Sequence, residues 1–253
     1  MRNFFLPPEK WPLNPADPLI LEGQEARHLI KVSRLKAGEQ VRLLDGAGKT
    51  GDFTIQSLAK NQARLVPLAV QTHLRPSSRC FLAAAYTKAA RRSWLMEKAV
   101  ELEAGGIWFW QAGRSQLPVP EASGENWQAQ LIAGAKQCSN PYLPEVRTFP
   151  SGAESLAREA DKFQKAFLLW EDEEQENMLN LSDLTVPHNA GDLLFIMGPE
   201  GGLSVEEARL FKKHGIPGVS LGKRILRWET AALLCLGLTF WAKQLQDAQK
   251  VSP

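Results

Sequence analysis

LLFIMGPEGGLSVEE, at residues 193–207, joins a strand pattern, a tight turn and a helix start without a gap. The run Leu193–Met197 is wholly apolar, as is typical of a parallel strand buried on both faces. Residues 198–202 then supply the glycines and the proline that favour a turn. Ser204 with Glu207 three positions later is the pattern of a capping box, which predicts a helix start.

The same alternation of strands and helices extends in both directions from this stretch. Short apolar runs predict strands at residues 80–86, 107–110, 166–170 and 219–221. Recurring apolar positions predict helices at residues 92–103 and 127–138, and a long final helix from Trp228 to about Ala248. Strands that alternate with helices predict an α/β domain with a mainly parallel sheet.

Residues 1–70 show a different, β-rich pattern. Strands are predicted at residues 41–45, 52–58 and 63–70, and one helix at residues 25–35. Short strands joined by glycine-containing turns predict a small β-barrel. The polar residues 72–78, which include a proline, predict a linker to the α/β domain.

LGKRILRWETAAL, at residues 221–233, contains a second glycine turn that follows one strand and precedes the final helix. Two such turns at the carboxyl ends of strands form the usual ligand crevice of an open α/β sheet. Because glycine lets backbone groups approach a ligand closely, these loops could bind the edge of an adenine ring. The alternative is that both are only tight strand–helix turns. No GxxxxGK[ST] occurs, and no GxGxxG follows the domain's first strand, which argues against a P-loop or a dinucleotide fingerprint.

The composition is that of a globular protein, with 253 residues, 44% hydrophobic and 23% charged, and a net charge of +2. A nucleic-acid partner would therefore have to bind local basic patches. The three cysteines lack metal-ligand spacing, so we expect no metal. The N-terminus has no continuous apolar run, and the apolar run 231–242 is too short to span a bilayer. We therefore expect no membrane partner and a cytoplasmic location.

The two glycine motifs, in this order and at this spacing, closely resemble those of the RsmE family. That family consists of ribosomal small-subunit RNA uridine-N3 methyltransferases of the SPOUT class. Weaker agreement extends over nearly the whole chain. It includes Arg27-His28-Leu29 with Val32 and Arg34, Asp45-Gly46, Glu97-Lys98 with Glu101-Leu102, Arg114-Ser115, and Gln137-Cys138 with Pro144-Glu145-Val146.

Three departures from the family pattern stand out. Lys136 occupies a position where the family usually has Glu, and Ser139-Asn140-Pro141 replaces the usual Gly-Arg. Glu103 stands where the family has the Gly of Glu-Leu-Gly. Because the segment around Lys136 is expected near the RNA or the active site, these changes bear on substrate contacts, whereas the cofactor loops are intact.

The resemblance implies a PUA-like RNA-binding β-barrel at residues 1–73 and a SPOUT methyltransferase domain at residues 74–253, with a C-terminal trefoil knot. It also implies a homodimer, S-adenosyl-L-methionine as cofactor, and 16S rRNA or the small ribosomal subunit as partner. The implied activity is methylation of N3 of a specific uridine. The cofactor-binding residues that it implies are Ile196, Met197, Gly198, Pro199, Glu200, Gly201, Gly202, Leu221, Gly222, Ile225, Leu226, Arg227 and Thr230.

Uracil N3 carries a proton and needs a base or a stabilising cation before it can attack a methyl group. Arg227 is the candidate cation, since it lies in the second glycine motif; its alternative role is to anchor a phosphate or carboxylate. Glu200, Glu171 and Glu229 are the candidate bases, with Glu200 and Arg227 as the predicted catalytic residues. Glu171 begins the acidic run EDEEQE, which otherwise predicts a solvated loop.

Structured RNA requires phosphate contacts from lysine and arginine. The candidates are a basic cluster in the predicted barrel, a second one after the strand 80–86, and the single Arg114 after the strand 107–110. His28 could instead be a packing residue. The predicted RNA-binding residues are Arg2, Arg27, His28, Lys31, Arg34, Lys88, Arg91, Arg92 and Arg114. Two alternative functions stay open: a SPOUT methyltransferase that acts on another rRNA or tRNA base, and a non-catalytic RNA-binding assembly factor.

Overall fold

The structure, a computed structural model, describes residues 1–122, 124–170, 177–184 and 191–251 of the chain. It divides into two compact units. The first comprises residues 1–75 together with residues 131–143, and the second comprises residues 76–130 and 144–253. The sequence predicted one boundary between residues 73 and 74, and no sequence signal indicated that residues 131–143 group with the N-terminal unit.

The N-terminal unit is built on one five-stranded sheet, in which β1 and β3 are parallel and the other pairs antiparallel. The order of the strands is β1-β3-β4-β5-β2. Their bounds are β1 Arg2–Phe5, β2 Leu19–Glu22, β3 Gln40–Leu44, β4 Lys49–Ala59 and β5 Gln62–Thr72. The hairpin and the strand before it are thus confirmed, whereas β1 and β2 were not predicted.

A short helix lies between β2 and β3 where the sequence predicted one continuous helix. Helix α1 covers Gly23–Arg27, and the chain then widens into a π-type turn at His28–Val32. Ala26 and Leu29 are fully buried and anchor this segment on the sheet. The predicted helix 25–35 is therefore wrong in length and regularity, because Arg34 adopts a left-handed conformation with φ of 53°.

Asp45 fixes the turn between β3 and β4. One oxygen of its buried carboxylate accepts hydrogen bonds from the backbone amides of Ala47 at 2.7 Å and Lys49 at 2.8 Å. The next residue, Gly46, has φ of 75°, and a Cβ there would lie 2.7 Å from the Leu143 side chain. The Asp-Gly pair is therefore a structural turn rather than part of a binding site.

We expect Asp45→Ala to lower the free energy of unfolding of the N-terminal unit by about 1–3 kcal/mol, because two backbone amides lose the buried carboxylate that accepts their hydrogen bonds. Urea denaturation followed by circular dichroism measures this loss. Asp45→Asn keeps one side-chain oxygen as an acceptor, so it should lower the free energy of unfolding less than Asp45→Ala does. Equal stability of Asp45→Ala and the unaltered protein would contradict the role assigned to the turn.

The second unit contains a six-stranded, wholly parallel sheet, which confirms the predicted α/β class. The order of its strands is β11-β9-β10-β6-β7-β8. Their bounds are β6 Cys80–Ala85, β7 Gly106–Trp110, β8 Glu145–Phe149, β9 Lys165–Leu169, β10 Leu193–Met197 and β11 Gly218–Val219. The helices that the structure describes beyond residue 80 are α2 Ala89–Glu101, α3 Glu125–Cys138, α4 Ala153–Ala160, α5 Leu181–Leu184, α6 Val205–Lys213 and α7 Trp228–Val251. Helix α3 runs from the second unit into the N-terminal unit, to which its residues from 131 onward belong.

The register of the sheet brings three strand ends together. Met197 at the end of β10 pairs with Leu169 at the end of β9, and Leu169 also pairs with Val219 at the end of β11. The side chains of β10 are buried on both faces. The loops that leave these strands therefore begin side by side at one edge of the sheet, which is where the two glycine motifs lie.

Candidate active site

A cleft of about 190 Å³ opens at the carboxyl ends of β9, β10 and β11. The loop after β10, the loop after β11 and the first turn of α7 form its walls. Polar backbone and apolar side chains both face it, because the loops contribute glycines while Met197, Leu203 and Trp228 contribute buried side chains. A mixed lining of this kind suits a small ligand with apolar and hydrogen-bonding parts.

The first wall is the segment 198–203, which we call the β10 loop. Gly202, with φ of 72°, donates its amide to the Pro199 carbonyl at 2.9 Å and so closes a tight turn. A Cβ on Gly198 would lie 2.8 Å from the Leu203 side chain, so only glycine fits there. The predicted capping box is confirmed, with Ser204 accepting from the Glu207 amide at 3.1 Å and Glu207 accepting from the Ser204 amide at 2.9 Å.

The second wall is the segment 220–226, which we call the β11 loop. The buried Ser220 hydroxyl shapes it, since it exchanges hydrogen bonds of 3.1 Å with both the amide and the carbonyl of Gly222. Gly222 has φ of 115°, and a Cβ there would meet no atom within 4 Å. Within the described residues the amides of Ile225 and Leu226 donate no hydrogen bond, so they are available to a ligand.

The structure brings most of the predicted cofactor residues to this cleft. Nine of them line it: Met197, Gly198, Pro199, Glu200, Gly202, Leu221, Gly222, Ile225 and Leu226. Ile196 lies inside the hydrophobic core, and the carbonyl of Gly201 is bound by Arg114. Arg227 and Thr230 are exposed at the start of α7 and are not part of the lining.

Several lining residues were not foreseen from the sequence. Leu169 and Trp170 line the cleft because β9 lies between β10 and β11, an order that no local pattern indicates. Trp228 and Ala231 line it from the first turn of α7. The only sequence signal for Leu169 and Trp170 was their place at the end of a predicted strand, since ligand sites gather at carboxyl strand ends.

An ion-pair cluster borders the cleft. The guanidinium of Arg91, in α2, pairs with Glu200 of the β10 loop, and its Nε lies 3.8 Å from a Glu229 oxygen in the first turn of α7. Two of the three candidate bases thus share one arginine. The third candidate, Glu171, lies with the rest of the acidic run 171–176 outside the described residues.

The three predicted RNA-binding arginines of the second unit all contact protein groups. Arg91 forms the pair with Glu200, and Arg114 donates to the Gly201 carbonyl at 2.8 Å. Arg92 donates to the Thr87 carbonyl and lies 4.1 Å above the Tyr86 ring, and burial lowers the pKa of its guanidinium. Lys88 precedes the first turn of α2 and is exposed.

The other predicted RNA-binding residues cluster in the N-terminal unit. A cavity of about 330 Å³ is lined there by Arg27, His28, Lys31 and Lys136, among others. His28 packs edge-on against Phe4 with 5.7 Å between ring centroids, and its buried Nδ1 has no hydrogen-bond partner among the described residues. Arg2 donates to the Ser33 carbonyl at 3.1 Å, and Arg34, in the left-handed conformation, is exposed.

Two departures from the family pattern also lie in this unit. Lys136 pairs with Glu25 at 2.7 Å, while Asn3 donates to the Lys136 carbonyl at 2.6 Å and to the Ser139 hydroxyl at 2.8 Å. The changed residues therefore hold residues 131–143 within the N-terminal unit, and Lys136 lines the same cavity as the RNA candidates.

Metal and thiol chemistry find little support in the described ranges. No three histidine, cysteine or acidic side chains there lie close enough to hold a metal ion. Burial raises the pKa of the Cys80 thiol to about 12, so this cysteine stays protonated and unreactive at neutral pH. No helix among the described residues is long and apolar enough to cross a membrane.

Comparison with known proteins identifies the family. Residues 75–239 match the RNA methyltransferase domain family, and residues 21–68 match the RNA methyltransferase PUA domain family. The chain is 26% identical to ribosomal RNA small subunit methyltransferase E of Bacillus subtilis, over 97% of this chain and 98% of that protein. The corresponding protein of Mycobacterium bovis is also 26% identical, over 86% and 84% of the two chains.

Two solved structures share the whole architecture. A putative methyltransferase from Legionella pneumophila, in complex with bound SAM, is 28% identical with a TM-score of 0.78, over 95% and 97% of the two chains. A ribosomal RNA small subunit methyltransferase E from Neisseria gonorrhoeae, bound to S-adenosyl methionine, is 26% identical with a TM-score of 0.74, over 93% and 95%. Since the methyltransferase domain match spans more than half of the sequence, this chain belongs to the RNA methyltransferase family whose members include ribosomal RNA small subunit methyltransferase E.

Proposed function

We propose that this protein transfers a methyl group from S-adenosylmethionine to N3 of a uridine in 16S rRNA. One observation carries the proposal: the two glycine motifs, which are separate in sequence, form two walls of one cleft. Relatives with this architecture are named rRNA methyltransferases, and two of the similar structures contain the same methyl donor.

The residues of the cleft suit that donor. The free amides of Ile225 and Leu226 can bind the edge of an adenine ring, and the space over Gly222 admits a ligand close to the backbone. Trp228 lines the cleft, and its buried Nε1 has no acceptor among the described residues. A buried donor without a partner is costly, so a ligand that supplies an acceptor is expected there.

S-adenosylmethionine supplies a methyl group on a positively charged sulfur, ready for in-line transfer. The protein must hold the target nitrogen close to that carbon and stabilise the uracil as its N3 proton leaves. Arg227 is free to stabilise the developing negative charge, because within the described residues its guanidinium makes no hydrogen bond or ion pair. Glu200 is the base that we propose, since of Glu200 and Glu229, the two candidate bases among the described residues, only Glu200 lines the cleft.

Uracil N3 lies on the Watson–Crick edge, so the target base has to be unpaired or turned out of a helix. The N-terminal unit offers the phosphate contacts that such binding needs. Its cavity places Arg27 and Lys31 beside the π-type turn, a backbone irregularity that is frequent at functional sites. The pair of Lys136 with Glu25 neutralises the acidic side chain in the lining, so the cavity keeps a net positive charge.

We expect Arg27→Glu with Lys31→Glu to weaken binding of 16S rRNA by about 10- to 100-fold, and to reduce the salt dependence of binding, because phosphate contacts are lost. Filter binding at several salt concentrations measures both effects. Lys10→Glu, an exposed lysine of the same unit outside the cavity, is the matched control. If the control weakens binding as much as the double variant, this cavity is not the RNA contact.

The resemblance to the RsmE family also supports four further features, which we include in the proposal. They are a PUA-like RNA-binding domain at residues 1–73, a SPOUT domain at residues 74–253 with a trefoil knot after Leu193, a homodimer that completes each site, and a cytoplasmic location with the small ribosomal subunit as partner. Sedimentation of the purified protein measures the oligomeric state directly.

A methyl-transfer assay tests the proposed function. The purified protein is incubated with labelled S-adenosylmethionine and either 16S rRNA or small subunits, and the digested RNA is analysed by mass spectrometry. We expect N3-methyluridine at one nucleotide. Methylation of another base or of tRNA would identify a different substrate. Absence of donor binding at millimolar concentration, measured by calorimetry, would favour a non-catalytic RNA-binding protein.

A further inference from the structure

The end of β7 supports the end of β10, although β6 lies between these strands. The indole of Trp110, the last residue of β7, is fully buried. Its Nε1 donates to the carbonyl of Met197, the last residue of β10, at 3.1 Å. This bond fixes the point at which the β10 loop leaves the sheet.

The loop that follows β7 makes two further contacts, one with the β10 loop and one with the first turn of α6. Arg114 donates from Nη1 to the Gly201 carbonyl at 2.8 Å. Its neighbour Gly113 donates its backbone amide to Glu207 Oε1 at 2.7 Å. Trp110 thus contacts the residue before the β10 loop, Arg114 contacts the middle of that loop, and Gly113 contacts the first turn of α6 after it.

The two carboxylate oxygens of Glu207 accept hydrogen bonds from two different backbone amides. Oε2 accepts the Ser204 amide and closes the capping box of α6, while Oε1 accepts the Gly113 amide. The capping box alone would need only one oxygen. The second oxygen therefore joins the start of α6 to the loop after β7.

We propose that Arg114 and Glu207 are positioning residues, which hold the β10 loop in the shape that binds the methyl donor. The inference rests on the proposed function, because it assumes that the donor binds against the β10 loop. It gives Arg114 a role in donor binding instead of the RNA contact that its charge suggests. Neither side chain lines the cleft, so both act through the loop.

Substitutions can separate positioning from RNA binding. We expect Arg114→Ala to raise the Kd for S-adenosylmethionine by about five- to tenfold, because the Gly201 carbonyl loses its restraint. Arg114→Lys keeps a charged donor, so its Kd should lie between those of Arg114→Ala and the unaltered protein. Glu207→Gln keeps one acceptor oxygen, which can serve the helix cap or Gly113 but not both, and should raise the Kd about threefold. Glu97→Gln, at an exposed acid of α2 outside the cleft lining, is the charge-matched control.

Four measurements on the full chain decide the matter: donor affinity by calorimetry, rRNA affinity by filter binding, steady-state kinetics and thermal unfolding. A positioning role raises Kd and KM for the donor, with kcat at saturating donor, rRNA affinity and Tm almost unchanged. The inference is overturned if Arg114→Ala weakens rRNA binding at unchanged donor affinity, or if both variants bind donor normally. If the unaltered protein binds no donor, the proposed function fails first and this inference with it.

Discussion

Replacing Arg227 by alanine is expected to lower kcat for methyl transfer by about 100- to 1000-fold while changing the Kd for S-adenosylmethionine less than about twofold. Arg227 is exposed beside the cleft without lining it, so it contributes little to donor binding. It nevertheless lies between Leu226 and Trp228, which do line the cleft, so a base that enters there comes near its cation. A charge that acts as the uracil anion develops lowers the barrier without strengthening binding.

Single-turnover kinetics and calorimetry on the same preparations measure the two quantities. Arg209→Ala removes an exposed arginine of α6, away from the cleft lining, and should leave both unchanged. Arg227→Lys keeps the charge but not the planar fork of donors, so its kcat should lie between those of the alanine variant and the unaltered protein. Equal losses in kcat and in donor affinity would make Arg227 a binding residue instead.

The elements that the sequence predicted best are those whose signals are local. Leu193–Met197 is an apolar run that ends at glycine, and Ser204 with Glu207 forms a helix cap that needs no distant partner. The edge strand β8, with the sequence EVRTF, was missed because its side chains are only partly buried and show no apolar run. Strand β1 was missed because it is stabilised by parallel pairing with β3, about 40 residues further on, which no local pattern reveals.

The two loops that form walls of the cleft were predictable from the sequence, but the residues that the end of β9 contributes to its lining were not. Each glycine motif predicts its own loop. The position of β9 between β10 and β11, in contrast, depends on the order of strands in the sheet. The only sequence signal that Leu169 and Trp170 line the cleft was therefore their place at the end of a predicted strand. Their contribution follows from topology, which composition and periodicity do not determine.

Charged residues were the least predictable from the sequence. Arg91, Arg92 and Arg114 formed basic clusters that suggested phosphate contacts, yet the structure engages them with Glu200, Tyr86 and Gly201 respectively. A sequence shows where charges are but not which carboxylates and carbonyls the fold brings to them. Electrostatic predictions therefore required the three-dimensional arrangement, whereas the strand and turn predictions did not.

Gly198→Ala is expected to raise the Kd for S-adenosylmethionine by about 10- to 100-fold, and Gly198→Val by more. The added Cβ would lie 2.8 Å from Leu203 Cγ and 3.0 Å from its Cδ2. Leu203 packs in the core cluster on one side and lines the cleft on the other, so the clash pushes it toward the space that the donor would occupy. Overpacking of this kind typically costs about 1–3 kcal/mol, and here it displaces the wall that the donor contacts.

The comparison with Gly201→Ala tests whether the steric clash or the loss of backbone flexibility causes the lower donor affinity of Gly198→Ala. A Cβ on Gly201 would lie 3.6 Å from the nearest atom, an ordinary contact, so this variant should lose much less affinity. If the clash with Leu203 causes the loss, then Leu203→Ala should restore part of the affinity of Gly198→Ala, and the two substitutions should be clearly non-additive in calorimetry. Additive losses would show that Gly198 is needed for backbone freedom, and that Leu203 does not determine the shape of the β10 loop.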